Sequence, residues 1–124
     1  AGANNPIYVT SSHSSATLSA GGKMLHEIKG DKQPIGIYEQ MKPFSKQMIQ
    51  LQKGDTLYLM SDGFADQFGG VKNKKLKSNR LKEIIAEIST RPIEMQKALL
   101  EMQFEKWKGN NDQVDDVLVI GYKC

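Results

Sequence analysis

The spacing of apolar positions divides the chain into a β-like first half and a helical second half. Ile7-Tyr8-Val9-Thr10 is rich in β-branched and aromatic residues and predicts a strand. The serine-rich stretch Ser11 to Ser15 reads as a loop. Ala16-Thr17-Leu18 and Met24 to Ile28 flank Gly21-Gly22, a hairpin signal. Lys29 to Gly36, with Gly30-Asp31 and Pro34, is a connection. Phe44 to Leu51 alternates loosely, as a half-buried strand would. After the turn at Lys53-Gly54-Asp55, Thr56-Leu57-Tyr58-Leu59-Met60-Ser61 is apolar on both faces, and so is Val117-Leu118-Val119-Ile120. Both predict strands covered on both sides.

Leu81, Ile84, Ile85 and Ile88 fall at helical spacing, with Ser78 or Asn79 as the expected N-cap. Pro92 opens a second helix, because proline fits a first turn. Met95, Leu99 and Met102 form one stripe, widened by Leu100, Phe104 and Trp107; these residues read as core rather than as a cofactor box. Gly109-Asn110-Asn111-Asp112 stops that helix. Several strands, two helices and a last strand predict an α+β fold with mostly antiparallel strands. Strands and helices do not alternate, and neither a G-x-G-x-x-G nor a P-loop is present, so a doubly wound nucleotide fold is disfavoured.

A length of 124 residues suits one domain or part of one. The opening Ala1-Gly2-Ala3-Asn4-Asn5-Pro6 has no polar tail and suggests a start inside a domain. With 39% hydrophobic and 25% charged residues, wholesale disorder is not expected. Apolar runs fall far short of the roughly 20 residues of a membrane span, and no signal peptide is visible. A cytoplasmic location is the expectation. The single cysteine, Cys124, precludes an internal disulfide and a cysteine-based zinc cluster. His13 and His26 are isolated and read as solvent-facing or packed. The net charge of +3 is too small to argue for nucleic acid. The run Lys72, Lys74, Lys75, Lys77, Arg80, Lys82 reads as a solvated loop entering a helix; the functional alternative is a patch for an acidic or phosphorylated partner. No aromatic residue interleaves it, as stacking on single strands would require.

Two acidic clusters flank the two most apolar strands. Ser61-Asp62-Gly63-Phe64-Ala65-Asp66 follows the first, and Asp115-Asp116 precedes the second. If the strands are antiparallel neighbours, Asp62 and Asp115 converge at one sheet edge. Two carboxylates held together repel unless a cation or proton intervenes, and Mg²⁺ or Mn²⁺ prefers such oxygen donors. Gly63 allows a sharp exit from the strand, and Asp66 could reach back along a helical turn. Asp-Gly is also a common turn signal, and Asp115-Asp116 also fits a polar loop. Spacing alone leaves both readings open.

The same residues resemble a known family. Lys53-Gly54-Asp55-Thr56-Leu57-Tyr58-Leu59-Met60-Ser61-Asp62-Gly63 is similar to a central segment of the metal-dependent, PPM-type phosphatases related to protein phosphatase 2C. Val114-Asp115-Asp116-Val117-Leu118-Val119 resembles their terminal segment. Ala1 to Pro6 and Gln33-Pro34-Ile35-Gly36 look like segments of the branch named for sporulation protein stage II E. Phe64 to Gly70 and Trp107-Lys108-Gly109 look like a Bacteroidetes-type variant. The resemblance implies the C-terminal portion of an α-β-β-α sandwich spanning residues 1–124 and lacking the N-terminal Asp-Gly metal motif.

It further implies a protein serine/threonine phosphatase using two Mn²⁺ or Mg²⁺ ions per intact site, with water activated between them attacking phosphorus. Asp62 and Asp115 would ligate one metal. Asp66 would serve a third metal or its water shell, and Gly63 and Asp116 would support the ligands from behind. No complete catalytic set lies in the chain, so alone it is expected to be inactive and to bind divalent ions weakly or not at all. The implied substrate is a phosphoserine or phosphothreonine protein, such as an anti-sigma-factor antagonist, with neither nucleic acid nor membrane as partner. Exposed sheet edges predict self-association as a homodimer. The alternative is a non-catalytic, phosphatase-like interaction module.

Overall fold

The computed structural model describes residues 4–11, 24–37 and 39–124. Four strands, β1 (Ile7–Ser11), β2 (Met24–Ile28), β3 (Thr56–Met60) and β6 (Val119–Lys123), form one antiparallel sheet in the order β2-β1-β3-β6. A one-turn helix α1 (Gly63–Asp66) and a small hairpin, β4 (Phe68–Gly69) and β5 (Lys74–Lys75), follow β3. Two long helices, α2 (Lys77–Ile88) and α3 (Ile93–Lys108), then lead to β6. The α+β class and the antiparallel sheet are as the sequence predicts. The Ala16–Leu18 strand and Gly21-Gly22 turn expected between β1 and β2 lie outside the described residues, as does His13. Ser11 pairs with Met24 at the end of the β1–β2 ladder. His26 is exposed on β2.

Register assigns the two sheet faces. Tyr8 pairs with Tyr58 and Thr10 with Thr56, so these side chains share a face, and all four are buried. With Met60, Tyr8 and Tyr58 meet Leu81, Ile84, Ile85 and Ile88 of α2 and Phe104 of α3 in one core. The α2 stripe is the one read from the sequence. On the opposite face, the rows Val9–Leu57–Tyr122 and Ile7–Leu59–Ile120 run across the sheet. Ile120 and Tyr122 there are 50% and 60% exposed.

Several expectations need correction. Phe44 to Leu51 is not a strand, and residues 41–50 are exposed throughout. Both sides of β3 are already taken by β1 and β6, so no edge beside β3 is open to this segment. Side chains anchor the segment instead. Gln33 exchanges two bonds with the Lys42 backbone (2.7 and 3.1 Å), and Asp31 accepts from the Ser45 amide and hydroxyl (both 2.8 Å). Val117–Ile120 is not buried on both faces. The strand begins at Val119, forms an edge of the described sheet and is exposed along most of its length. Its apolar run reflects a face left open among the described residues.

The helix ends and stripes also shift. Ser78 and Asn79 lie inside α2. Leu76, which is buried, stands at the N-cap position with no capping side chain, so burial rather than capping fixes this start. On α3, Met95 and Met102 are 52% and 54% exposed, and the buried positions are Gln96 and Phe104, flanked by Leu99, Leu100 and Trp107. The face turns because Gln96 is satisfied inside. The Tyr58 hydroxyl donates to its Oε1 at 2.7 Å, and its Nε2 donates to the Arg91 carbonyl at 2.9 Å.

Two predictions follow from this core. Ile85 is 0% exposed, so Ile85→Ala should cost about 2–5 kcal/mol in urea unfolding. The Tyr8 phenol is raised above its ordinary 10.0 by burial and then by the Glu27 charge, and the Tyr58 phenol is raised by burial. A raised folded value stabilises the neutral form. Stability is therefore whole below pH 10 and falls as pH rises through the folded values. Unfolding free energy followed against alkaline pH should show this loss, and Tyr58→Phe should reduce the slope.

Candidate active site

The β3–β6 ladder reaches Met60 opposite Val119 and then continues beyond the sheet. The Ser61 amide donates to the Leu118 carbonyl at 3.0 Å. The Leu118 amide donates to Ser61 Oγ at 3.0 Å, and that hydroxyl donates to the Asp116 carbonyl at 2.8 Å. One serine side chain thus supplies an additional rung where both backbones leave the strand.

Gly63 closes the approach. A Cβ built there would collide with the Asp116 carbonyl, so only glycine admits this contact. Asp62 sits between the serine rung and the glycine contact. The segments bearing Asp62 and Asp115-Asp116 are therefore side by side, and all three carboxylates are exposed. The meeting of these two backbones is what antiparallel pairing of β3 and β6 predicts.

The other acidic groups are engaged locally. Asp115 Oδ1 accepts the Asp116 amide at 2.7 Å, and its carbonyl accepts from Gln113 at 2.9 Å. The Asp66 amide donates to the Asp62 carbonyl at 3.0 Å, so the segment does turn helically. The Asp66 carboxylate, however, pairs with Lys75 at 3.3 Å. Both partners are over a third exposed, and such a pair contributes at most about 1 kcal/mol.

Among the described residues, no three His, Cys, Asp or Glu side chains gather closely enough to hold an ion. The donors at this edge are hard oxygens, open to solvent. They fit a share of a Mg²⁺ or Mn²⁺ site, and they do not fit a self-contained one. A separate apolar cleft of about 410 Å³ lies between α3 and β6, lined in part by Tyr58, Ile93, Leu100, Phe104 and Val119. None of these four acidic residues lines it.

Sequence reading missed Gln67, Trp107 and the structural role of Ser61. Gln67 is fully buried. Its Nε2 donates to the Asp112 carbonyl at 2.9 Å and its Oε1 accepts the Val114 amide at 3.4 Å, just upstream of Asp115. Its own carbonyl accepts from Trp107 Nε1 at 2.8 Å. Gly69 and Gly70 lie against Trp107 so closely that a Cβ on either would collide with it. Trp107 was read as core and the segments bearing Gln67 and Trp107 as part of the resemblance, but nothing in the sequence linked Gln67 to Trp107 across 40 residues.

Gly63→Ala should cost about 1–3 kcal/mol by overpacking against a backbone carbonyl. Ser61→Ala should cost less, about 0.5–1.5 kcal/mol, because the two bonds it removes are open to solvent. Urea unfolding of the two single variants and the double should give less than the sum, because both changes loosen one junction.

A search of curated protein sequences finds no significant match. Two solved structures share the fold. The SiaA-PP2C domain of Pseudomonas aeruginosa superposes with a TM-score of 0.80 at 23% identity, over 98% of this chain and 44% of that one. The PP2C phosphatase domain with a fragment of the regulatory domain of SpoIIE, a cell fate determinant from Bacillus subtilis, gives 0.63 at 20% identity, over 99% and 32%. The chain thus spans less than half the length of either. Among the described residues no helix is long and apolar enough to cross a membrane. The profile of the stage II sporulation protein E (SpoIIE) family matches residues 3–124, and this chain belongs to that family, with a fold of the PP2C type.

Proposed function

We propose that this chain supplies one share of the metal site of a phosphoprotein phosphatase. The observation that carries the reading is the Ser61–Gly63 junction, which sets Asp62 beside Asp115-Asp116 in a chain of this family. Asp62 and Asp115 would hold a Mn²⁺ or Mg²⁺ ion, with Asp66 reaching a further ion or its water once released from Lys75. Gly63 and Asp116 hold the ligand segments in place. Bound ions of this kind lower the pKa of water and offset charge on phosphoryl oxygens. The remaining donors would come from an Asp-Gly segment outside these 124 residues. The coverage of the two structural relatives supports that division.

The substrate proposed is a phosphoserine or phosphothreonine protein; an anti-sigma-factor antagonist is the narrower candidate carried by the family resemblance. The small number of carboxylates gathered at the edge favours a second reading, a non-catalytic phosphatase-like module.

Manganese-dependent hydrolysis of p-nitrophenyl phosphate by the intact protein separates the two readings. Asp62→Asn and Asp115→Asn should each lower it at least about a hundredfold, since even residues behind metal ligands cost 10–100-fold. The 124-residue chain alone should show no activity. Intact protein without activity, or with activity unchanged in both variants, would leave the module as the better reading.

A further inference from the structure

We propose that the β4–β5 hairpin and the start of α2 form a docking surface for an acidic protein segment, carried by Lys72, Lys74 and Lys77. The location beside a catalytic edge rests on the phosphatase reading above; the binding itself does not.

The sequence holds no Asp or Glu from Gln67 to Lys82, while six residues in that stretch are basic. The structure divides the six. Lys75 pairs with Asp66, Arg80 with Glu83 at 2.7 Å and Lys82 with Glu27 at 2.6 Å. Lys72, Lys74 and Lys77 are exposed, and no hydrogen bond or ion pair involves their amines among the described residues. A surface serving solubility alone intersperses both signs, whereas this one concentrates positive charge.

The hairpin is tied into the fold. Gly70 donates to the Trp107 carbonyl at 3.1 Å, joining it to α3, and Leu76 donates to the Gln67 carbonyl at 3.0 Å, closing its base. A surface ordered before binding loses less entropy when a partner arrives.

Two non-glycine residues here take left-handed backbone, Asn73 at φ 46° and Lys77 at φ 69°. For lysine that conformation costs about 1–2 kcal/mol. Such strain gathers where function holds a side chain in place. Val71 stands fully exposed between these lysines and Phe68, and gives a partner apolar contact as well as charge. The Lys75–Asp66 pair ties β5 to the turn that follows Asp62. An acidic segment on this surface would therefore sit next to the proposed metal edge.

The test uses the intact protein and two fluorescein-labelled peptides, one rich in Glu and Asp and one with Gln and Asn in their place. Anisotropy is read in EDTA, which removes any metal-mediated contact. The acidic peptide should bind about tenfold more tightly than the neutral one and lose that advantage in high salt. Lys72→Glu, Lys74→Glu and Lys77→Glu combined should abolish the preference, and the Gln triple variant should reduce it. Equal binding by wild type and both triple variants overturns the proposal. So does a generic oligonucleotide that binds more tightly and depends on the same lysines.

A second readout concerns hydrolysis. With a phosphothreonine peptide flanked by acids, the triple variants should raise KM about tenfold and leave kcat and p-nitrophenyl phosphate turnover unchanged. A KM that does not move in an active enzyme counts against the docking surface. Absence of turnover in every form would sink the phosphatase reading and leave anisotropy to decide this one.

Discussion

The arrangement of this molecule depends on one additional rung of hydrogen bonding beyond the end of a β-ladder. Backbone pairing of β3 and β6 ends where the chains begin to diverge toward α1 and the acidic loop. Ser61 bridges that divergence with its hydroxyl, accepting from Leu118 and donating to Asp116. Only a short side chain with both a donor and an acceptor does this at a strand end. Gly63 then lets the two backbones touch. Without that junction, the two exposed aspartate segments would lose the contacts that hold them beside each other past the end of the ladder.

A second tie fixes the same loop from behind. Buried Gln67 holds the backbone at Asp112 and Val114, and Trp107 holds Gln67 and the glycines of the hairpin. The end of α3, the β4–β5 hairpin and the approach to Asp115 thus form one connected unit. The hairpin that carries the unpaired lysines belongs to the same framework as the acidic edge. Charge of both signs is set side by side on one hydrogen-bonded scaffold, which is the usual way binding groups are carried on turns.

Much of this was legible in the sequence, for identifiable reasons. The α2 stripe follows from periodicity, because burial is what periodicity reports; β3 was legible as a strand from its apolar run, although its Leu57 and Leu59 face is only half-buried. The meeting of the Ser61–Gly63 and Asp116–Leu118 backbones followed from antiparallel pairing of two strands with acidic ends. What escaped was long-range satisfaction of polar groups. Gln96 looked like a surface residue until Tyr58 provided its partner, and this turned the buried face of α3 away from Met95 and Met102. Gln67 was silent for the same reason. Phe44 to Leu51 alternates well enough for a strand, but no open edge is left for it beside β3. The apolar run at Val117–Ile120 was read as two-sided burial, whereas among the described residues it is an edge strand with an open face. Sequence periodicity cannot tell a covered face from one that remains open.

The central claim is that Asp62 and Asp115 share one cation because Ser61 and Gly63 lock their segments together. Amide NMR of the intact protein during Mn²⁺ titration tests it most directly, since paramagnetic broadening marks the residues nearest the ion. The account predicts that Asp62, Gly63, Asp115 and Asp116 broaden together at the lowest Mn²⁺ concentrations, ahead of the α2 core residues Ile84 and Ile85. Broadening of one segment without the other, or first broadening elsewhere in the chain, would contradict it.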